Sequence, residues 1–461
     1  MSEFDPTKKS HDADAMAPYL ETVDDVVNGI EAMRENFARY VPKFPKERPA
    51  RYELRRKLSK MTNVFRDVLE GLASKPFSRE VQVMEPQGGA GDLIEDIDGR
   101  DNHLSVFAGS VFFQAIADSI TWIRVDYPAG QTFRNREEER AAGVRPYWVH
   151  VNHKDILEIR SERQAGGERI TYMRMYEDHD KILELTPDEW KRWDKIEGEW
   201  KEGEDGRITI GMVPMVPVIT GRRKGKSWQF YPPMRDALDA QVELFNQQCA
   251  LKFAETMTCF PILSANGVDP ATDAEGNPLP LEIGPDAVLY APPNSEGQHG
   301  SWERVEPTTA SLKHLAEGID SQIKEIRELG RQPLTAQSGN LTRISAAAAT
   351  SKGNSAVQQW AGALKDALEN ALMITNLWLN DSTEPEVDVF TEFRATDEDG
   401  NTLQHLREMR ANGDLSRQTL WDESKRLGQL SDNFDPEEET QRILEELPSG
   451  GTPLDMQDDL Q

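Results

Sequence analysis

Residues 232–257, PPMRDALDAQVELFNQQCALKFAETM, set the organisation of this chain. Apolar side chains recur there at intervals of three or four residues, which is the spacing of one face of an α-helix. They are Met234, Leu238, Val242, Phe245, Cys249 and Phe253. The two leading prolines fit the first turn of a helix, where an amide donor has no partner to lose. The sequence therefore predicts a helix of roughly 36 Å.

A second helix of the same kind is predicted for residues 308–330, and Thr308 or Thr309 is placed to cap it. Its apolar stripe consists of Leu312, Leu315, Ile319, Ile323, Ile326 and Leu329. Between the two helices, prolines divide residues 258–307 into short extended pieces. Pieces inserted between two antiparallel helices must emerge at the end that the helices share.

Residues 329–365 contain no aspartate or glutamate, although 81 of the 461 residues are acidic. The run keeps its cations, which are Arg331, Arg343, Lys352 and Lys365. Its first part is a loop rich in amides and hydroxyls, a composition that suits transient contact with phosphates. We interpret the run as a locally cationic element in an anionic protein. The alternative is an Ala-rich helix that simply has few acids.

The rest of the chain mixes helical and strand patterns. Residues 1–17 are polar and predicted to be unfolded, and residues 344–380 predict a long helix with a kink at Gly353 and Gly362. Other predicted helices lie at 24–40, 50–74, 104–116 and, as two or three acidic helices, 403–447. Predicted strands are Thr121–Asp126, Tyr147–Val151, Arg169–Tyr176, Ile182–Leu185, Ile208–Ile219 and Glu386–Arg394. The predicted fold class is α+β, a mixed α/β body with two long helices, a small β-containing insertion, a long kinked helix and a helical C-terminal part.

The charge of the chain limits its partners. A formal net charge of −28 argues against a protein that grips nucleic acid over its whole surface, because such binding needs Lys and Arg to neutralise phosphates. Residues 381–461 hold 22 acids against 7 cations, as a solvated acidic face would. Two cysteines indicate neither a disulfide framework nor a Cys-based zinc site. With no apolar run of 18 residues and no basic-then-apolar leader, we expect no membrane span and a place of work in the cytosol or an assembly made there.

Motifs for catalysis and metal binding fail on inspection. The segment 221–227, GRRKGKS, resembles a phosphate-binding loop but has three residues between its glycines instead of four, and the residues after it look extended. We predict a basic hairpin turn there. His150 and His153 stand three apart on a predicted strand, so they point to opposite faces and cannot share a metal. Residues 271–282 approach a calcium loop but lack its first ligand. The sequence predicts no enzyme activity and no cofactor.

Several segments are similar to a known family. Residues 65–77 (FRDVLEGLASKPF), 125–128 (VDYP), 145–148 (RPYW) and 283–285 (IGP) resemble segments of the portal proteins of long-tailed bacteriophages. The order of parts is also similar, over about residues 50–447. Portal proteins carry no catalytic signature, so the resemblance depends on several matches in one order.

The resemblance implies a virion protein: a ring of twelve copies at one capsid vertex, assembled in the host cytoplasm. Such a ring is a passive channel for double-stranded DNA during packaging and ejection. Its implied partners are the terminase large subunit, a head-tail adaptor, and the major capsid and scaffolding proteins, with no membrane. The implied parts are a wing (18–231, with a return strand in 381–401), two stem helices (232–257 and 308–330), a clip (258–307), a tunnel loop (331–343), the kinked helix (344–380), a crown (402–447) and a flexible acidic tail (448–461).

Two sets of candidate site residues follow. The tunnel loop would contact DNA through Arg331, Gln332, Thr335, Gln337, Asn340, Thr342 and Arg343. The clip would present Asp269, Asp273, Glu275, Asn277 and Glu282 to docking partners. Two alternatives from other classes stay open, namely an acidic DNA-mimic binding protein and a nucleotide-hydrolysing enzyme built on Gly225, Lys226 and Ser227.

Overall fold

This computed structural model describes the chain except for residues 1–3, 129–142, 165, 260–261, 269–296, 298, 306–308, 331–342, 392, 394–398, 427–429, 431–433 and 447–461. The chain divides into two compact units, Met1–Thr391 and Glu392–Gln461. It is a mixture of helix and sheet, which agrees with the predicted α+β class.

The helices of the first unit, in its described part, are α1 (His11–Asn28), α2 (Ile30–Glu35), α3 (Phe37–Tyr40), α4 (Pro49–Leu58), α5 (Val64–Ala73), α6 (Leu104–Asp118), α7 (Arg235–Cys259), α8 (Thr309–Leu329) and α9 (Arg343–Trp378). Its strands are β1 (Gln82–Val83), β2 (Ile120–Asp126), β3 (Tyr147–Asn152), β4 (Ile156–Gln164), β5 (Gly167–Asp178), β6 (Lys181–Leu185), β7 (Glu189–Ile196), β8 (Glu199–Arg207), β9 (Met215–Ile219), β10 (Arg222–Arg223), β11 (Phe230–Tyr231), β12 (Ile262–Asn266), β13 (Ser301–Val305) and β14 (Val387–Asp388). Short 3-10 helices lie at Lys75–Ser78, Gly88–Asp96 and His153–Asp155.

The N-terminal prediction was wrong for residues 11–17, because α1 already begins at His11. Ser10 caps this helix by accepting a hydrogen bond from the Ala13 amide at 3.3 Å, and Met16 is buried. Asp12 also accepts bonds from Trp228 N and Gln229 Nε2. Tertiary contacts therefore order a segment whose polar composition suggested an unfolded tail.

The next helices are more broken than predicted. The helix expected for 24–40 is interrupted at Gly29, whose φ of +88° is favourable only for glycine. The helix expected for 50–74 is two helices, α4 and α5, because Asn63 starts the second by accepting a hydrogen bond from Arg66 N at 3.0 Å.

The sheets are antiparallel. One has the strand order β3-β2-β9 and another the order β4-β5-β6-β7-β8, and the pairs β1-β14, β10-β11 and β12-β13 form two-stranded ladders. Helix α6 packs on β2, and the core around them contains Phe112, Trp122 and Trp148, all nearly inaccessible. The strand predicted for Ile208–Ile219 begins only at Met215. Of the described residues in the strand predicted for Glu386–Arg394, only Val387–Asp388 form a strand.

Helix α9 runs without interruption through Gly353 and Gly362, so neither glycine ends the helix, and the kink at these positions stays a prediction. Glycine costs about 1 kcal/mol relative to alanine in a helix. Burial of Trp360, Leu364 and Leu368 on one face offsets that cost, since each large apolar side chain contributes about 1.5–3 kcal/mol.

The second unit, in its described part, contains α10 (Asp399–Ala411), α11 (Arg417–Arg426) and α12 (Pro436–Glu446). These helices confirm that 403–447 is helical, but only α12 is acidic, with five acids and one cation. Helix α10 has two acids and two arginines, and α11 has two acids and three cations. Trp421 packs edge-on against Phe434 with ring centroids 5.7 Å apart, and Arg417 covers the same tryptophan. Among the described residues of the whole chain, no helix is both long and apolar enough to cross a bilayer.

Candidate functional site

Most of the predicted site residues lie outside the described residues. For the tunnel loop these are Arg331, Gln332, Thr335, Gln337, Asn340 and Thr342, and for the clip they are Asp269, Asp273, Glu275, Asn277 and Glu282. Arg343 is the first residue of α9. The structure therefore informs on the elements that hold these segments.

Helices α7 and α8 form an antiparallel pair that holds both segments. Near the start of α7, Gln241 bonds the first residues of α5, and near the end of α8, Arg327 pairs with Asp67 of α5 at 2.8 Å. Further along, Gly318 of α8 lies against Gln247 of α7. Residue numbers thus rise along one helix as they fall along the other, which defines the antiparallel arrangement.

Two buried glutamines attach the base of the pair to the body. Gln241 Oε1 accepts hydrogen bonds from Val64 N at 2.9 Å and Phe65 N at 3.0 Å. These amides open α5 and have no partner within their own helix. Gln248 bonds both the amide and the hydroxyl of Thr62. The helix pair is therefore fixed to the body through polar side chains, not through apolar packing alone.

At the opposite end of the pair, β12 and β13 form a ladder that runs from Ile262 opposite Val305 to Asn266 opposite Ser301. The ladder connects the end of α7 to the start of α8. The ladder therefore lies at the end that the helices share, while residues 269–296 of the insertion lie outside the described residues.

The start of the acid-free loop is held against α5. Gly330 packs on Val68 so closely that an added Cβ would lie 2.4 Å from Val68 Cγ1 and 3.0 Å from the Ile326 carbonyl. A side chain at position 330 would therefore push the loop away from the body.

The far end of α9 is locked into the body. Asn376 is fully buried; its Oδ1 accepts from Ala90 N at 2.7 Å, and its Nδ2 donates to the carbonyls of Gln87 and Thr383. Asp381 accepts from Gly89 N at 3.0 Å. Gly88, with φ +67°, has no room for a Cβ, which would meet Asn376 Nδ2 at 2.7 Å. We call this junction the Asn376 lock.

One cation of the acid-free run is committed to structure. Lys365 lies 3.6 Å from Glu369 and 3.5 Å from Glu386, both on its C-terminal side. Lys365 is thus neutralised locally and is not available to phosphates. The cationic character of the run depends on Arg331, Arg343 and Lys352.

The body also contains a cavity of about 690 Å³ that sequence analysis did not predict. Its wall includes Trp190, Leu183 and Ile208, together with Tyr127 stacked on Trp378 at 5.4 Å between ring centroids. These residues come from three separate parts of the chain. No local pattern could have indicated that they meet.

The charges in this cavity neutralise one another. Arg124 contacts Glu177 at 2.9 Å and Asp126 at 3.0 Å, and Arg192 contacts Glu177 at 2.8 Å. Burial alone would raise the pKa of Glu177, but Arg124 and Arg192 outweigh it and the pKa is lowered. Burial and the neighbouring Asp126 raise the pKa of Tyr147 to about 12. The cluster is a compensated network, which argues against a proton-transfer role at neutral pH.

The segment that resembles a phosphate-binding loop is a β-hairpin. Arg222 pairs with Tyr231 and Arg223 with Phe230, and the Lys224 amide donates to the Gln229 carbonyl at 2.8 Å. No helix begins at Lys226 and Ser227, so the amide donors of a helix N-terminus are missing. The predicted basic hairpin is confirmed, and the nucleotide-hydrolysing alternative loses the geometry it required.

His150 and His153 form hydrogen bonds inside the core. His153 Nδ1 accepts a hydrogen bond from Trp122 Nε1 at 3.0 Å, and His150 Nε2 bonds Thr121 Oγ1 at 2.8 Å. Burial lowers the pKa of each to about 4. In the part of the chain that the structure describes, no group of His, Cys, Asp and Glu could hold a metal ion.

Residues 233–379 match a protein family described as a domain of unknown function (DUF4055). The match takes in α7, the insertion, α8, the acid-free run and α9. None of the curated proteins matches the chain.

Among solved structures, a chain of the virion of a native gene transfer agent particle is 11% identical, with 84% of this chain and 96% of that chain covered and a TM-score of 0.43. A chain of the neck of a native particle of this kind, computed with C12 symmetry, is 10% identical, with coverages of 82% and 93% and a TM-score of 0.44. A chain of the neck of an empty particle, computed with C6 symmetry, is 11% identical, with coverages of 85% and 97% and a TM-score of 0.43. At these TM-scores the likeness is loose and does not by itself establish a shared fold.

Proposed function

We propose that this chain is a portal subunit, a structural protein that forms a ring at one vertex of a virus-like particle and surrounds passing double-stranded DNA. The observation that carries the proposal is the sequence of elements α7, insertion, α8, acid-free loop and α9. The helix pair is fixed at its base by Gln241 and Gln248, and α9 is fixed at its far end by the Asn376 lock. The loop between α8 and α9 is therefore held between two anchored elements.

The charge distribution suits a passive channel. Twelve copies of a chain with charge −28 would carry about −336, which repels phosphates and discourages DNA from sticking. Arg331 and Arg343 bracket a polar loop without acids, so a ring would present a narrow cationic collar to the DNA. Contacts of exposed arginines are screened over about 8 Å at physiological salt, so they would be brief.

The insertion between β12 and β13 is the proposed docking surface for the terminase large subunit and then for the head-tail adaptor. The ladder that begins and ends this insertion lies at the shared end of α7 and α8, away from the glutamine anchors. The body formed by residues 18–231 is the proposed wing, which would face the capsid and scaffolding proteins.

The first test is the assembly state of the purified parent protein. We expect rings with a central hole in negative-stain images and a closed oligomer, most simply of twelve copies, in native mass spectrometry. Monomers or dimers alone at micromolar concentration, under conditions that support particle assembly, would contradict the proposal. A monomer that competes with DNA for a basic protein would instead support the DNA-mimic alternative.

The second test reverses the collar, with Arg331→Glu and Arg343→Glu in one chain. Rings should form as in the parent, while packaged or retained DNA falls severalfold, because the collar becomes repulsive. Lys43→Glu with Lys46→Glu is the matched control, since both lysines are exposed and the net charge changes equally. Equal DNA retention by the collar variant and the control would show that the missing acids reflect helix packing alone.

A further inference from the structure

A cationic hairpin stands out on the body of this anionic chain. Residues 221–227 carry Arg222, Arg223, Lys224 and Lys226 and no acid, whereas the whole chain has a charge of −28. We call residues 221–231, with β10 and β11, the cationic hairpin.

The hairpin is rigid. Arg223 donates to both carboxylate oxygens of Glu168 at 2.6 and 2.9 Å and to the Ser227 carbonyl at 2.6 Å. Its guanidinium also lies 4.4 Å from the ring centroid of Trp228, and Trp228 donates to Ser161 Oγ of β4 at 3.1 Å. One cation of the four is therefore used to fix the hairpin against the β4 side of the five-stranded sheet.

The remaining cations are directed outward. Arg222 and Lys226 are exposed, and neither has an ion pair with any residue that the structure describes. Lys224 lies 4.6 Å from the ring centroid of Tyr231, whose side chain is 56% exposed. The hairpin thus offers a preformed cationic surface on which Arg222 and Lys226 have no ion-pair partner within the described part of the chain.

The opposite edge of the same sheet is acidic. In the order β4-β5-β6-β7-β8, strand β8 has a neighbour on one side only among the described strands. Its sequence, EWKEGEDGR, holds four acids and two cations. Glu202 and Glu204 pair with Lys191 and Arg192 of β7, whereas Glu199 and Asp205 have no ion pair with any described residue. Four strand spacings separate the two edges, about 19 Å.

We propose that the cationic hairpin of one copy docks on the β8 edge of the next copy. This inference rests on the proposed function, since it names the contact that closes the ring. A head-to-tail ring requires two different surfaces on each subunit, one for each neighbour. Anionic subunits repel one another, so a local contact of opposite charge supplies both the attraction and the register. The hairpin and the β8 edge are such a pair, on opposite sides of one rigid sheet.

The charges favour a second copy over nucleic acid as the occupant. The hairpin offers a short cationic surface next to the carboxylate of Glu168, and the net charge of the chain repels phosphates. The β8 edge of a neighbouring copy brings carboxylates to the hairpin without the repulsion that a phosphate backbone meets along the rest of the chain. Binding to nucleic acid is therefore an outcome that the experiment must distinguish.

The experiment uses full-length chains with reversed charges. The hairpin variant carries Arg222→Glu and Lys226→Glu, and the edge variant carries Glu199→Lys and Asp205→Lys. Lys43→Glu with Lys46→Glu is the control, because it changes the net charge by the same amount as the hairpin variant. The readout is the protein concentration at which half of the chains are in rings, measured by mass photometry at low and physiological salt.

We expect the hairpin variant and the edge variant each to need about tenfold more protein than the parent to form rings. An equal mixture of the two should assemble like the parent, because each reversed surface then meets its complement. The control should stay close to the parent. If the hairpin variant loses its native far-ultraviolet circular dichroism, Arg222→Gln with Lys226→Gln replaces it. If the edge variant does, Glu199→Gln with Asp205→Asn replaces that one. We expect each replacement to give a smaller shift in the same direction.

Normal assembly of the hairpin variant alongside parent rings would overturn this inference and leave the proposed function intact. Failure of the mixture to recover would overturn it as well. If the hairpin variant forms normal rings but binds a short DNA duplex more weakly, the hairpin is a nucleic-acid surface and the inference is wrong. If the parent itself forms no rings, the proposed function fails first.

Discussion

Replacing Asn376 with alanine would remove the side chain that joins the end of α9 to residues 87–90. Three main-chain groups would each lose a partner, namely the amide of Ala90 and the carbonyls of Gln87 and Thr383. Asp381 would still hold Gly89, so the junction would loosen without losing every bond. The expected result is a less stable protein with unchanged helices elsewhere.

The magnitude follows from burial. Ala90 is fully buried, so its orphaned amide costs about 1–3 kcal/mol. The two carbonyls are only half-buried and can reach water, so each lost bond costs about 0.5–1.5 kcal/mol. We therefore expect Asn376→Ala to lower the free energy of unfolding by about 2–6 kcal/mol.

The assay is urea denaturation followed by tryptophan fluorescence. Two tryptophans report on the junction: Trp378 is two residues away, and Trp148 donates to Thr375 at 2.8 Å. Asn370→Ala is the matched control, since Asn370 is exposed on the same helix and bonds only its own helix, at Asp366 O. The control should change stability by less than about 0.5 kcal/mol. If the two variants unfold at the same urea concentration, the lock does not hold α9.

Two further predictions concern pH. Burial raises the pKa of Asp118 to about 7, above its unfolded value, so its contribution to stability falls as pH rises from about 4 to 7. Asp118→Asn can still accept the hydrogen bond from Gln114. Its free energy of unfolding, measured by urea denaturation, should therefore equal that of the parent near pH 4 and exceed it by up to about 4 kcal/mol at pH 8. A variant no more stable than the parent at pH 8 would count against a costly buried charge. Burial lowers the pKa of His153 to about 4. Between pH 6.5 and 4 this histidine is therefore protonated in the unfolded chain but neutral in the folded chain, so the free energy of unfolding falls as the pH falls. In His153→Asn, the amide oxygen can replace Nδ1 as the acceptor for Trp122. The slope of the free energy of unfolding against pH between pH 6.5 and 4 should fall by up to about 1.4 kcal/mol per pH unit. An unchanged slope would mean that His153 is not the group that titrates.

The long helices were predictable because their signal is strong and local. The stripes of α7 and α8 each repeat over about five turns. Burial of Leu238, Phe245, Ile319 and Ile326 shows that each stripe faces a packed surface. The predicted start of α7 was early by three residues and its end by two, as is usual where caps are not decisive.

Strands β7 and β8 were missed because their sequences are dominated by charge. EWKRWDKI and EWKEGEDGR offer little alternation of apolar and polar residues, since one face of this part of the sheet meets solvent. Main-chain hydrogen bonds between consecutive antiparallel strands form β7 and β8, although their side chains lack a strand pattern. The strand predicted from Ile208 failed for the opposite reason: its residues are apolar, but Gly211 adopts φ +68° and Pro214 lacks an amide donor.

The anchors of the candidate site had no signal in the sequence. Gln241 meets Val64 across 177 positions, and Asn376 meets Ala90 across 286. A buried amide side chain looks like any exposed one until its partner is placed. Charge and periodicity in the sequence predicted the long helices and the acid-free loop. The residues that anchor them to the body were identified only from the three-dimensional structure.

The uninterrupted course of α9 makes it a lever. Its 36 residues span about 54 Å from Arg343 to Trp378, and the fulcrum is the Asn376 lock. For a straight helix, a tilt of only 5° about that point carries the first turn, about 50 Å away, through about 4 Å. Small adjustments in the body, such as a shift of residues 87–90, are therefore magnified where the acid-free loop begins to rejoin the helix. In the proposed ring, residues about 50 Å from the start of α9 would therefore influence the width of the channel.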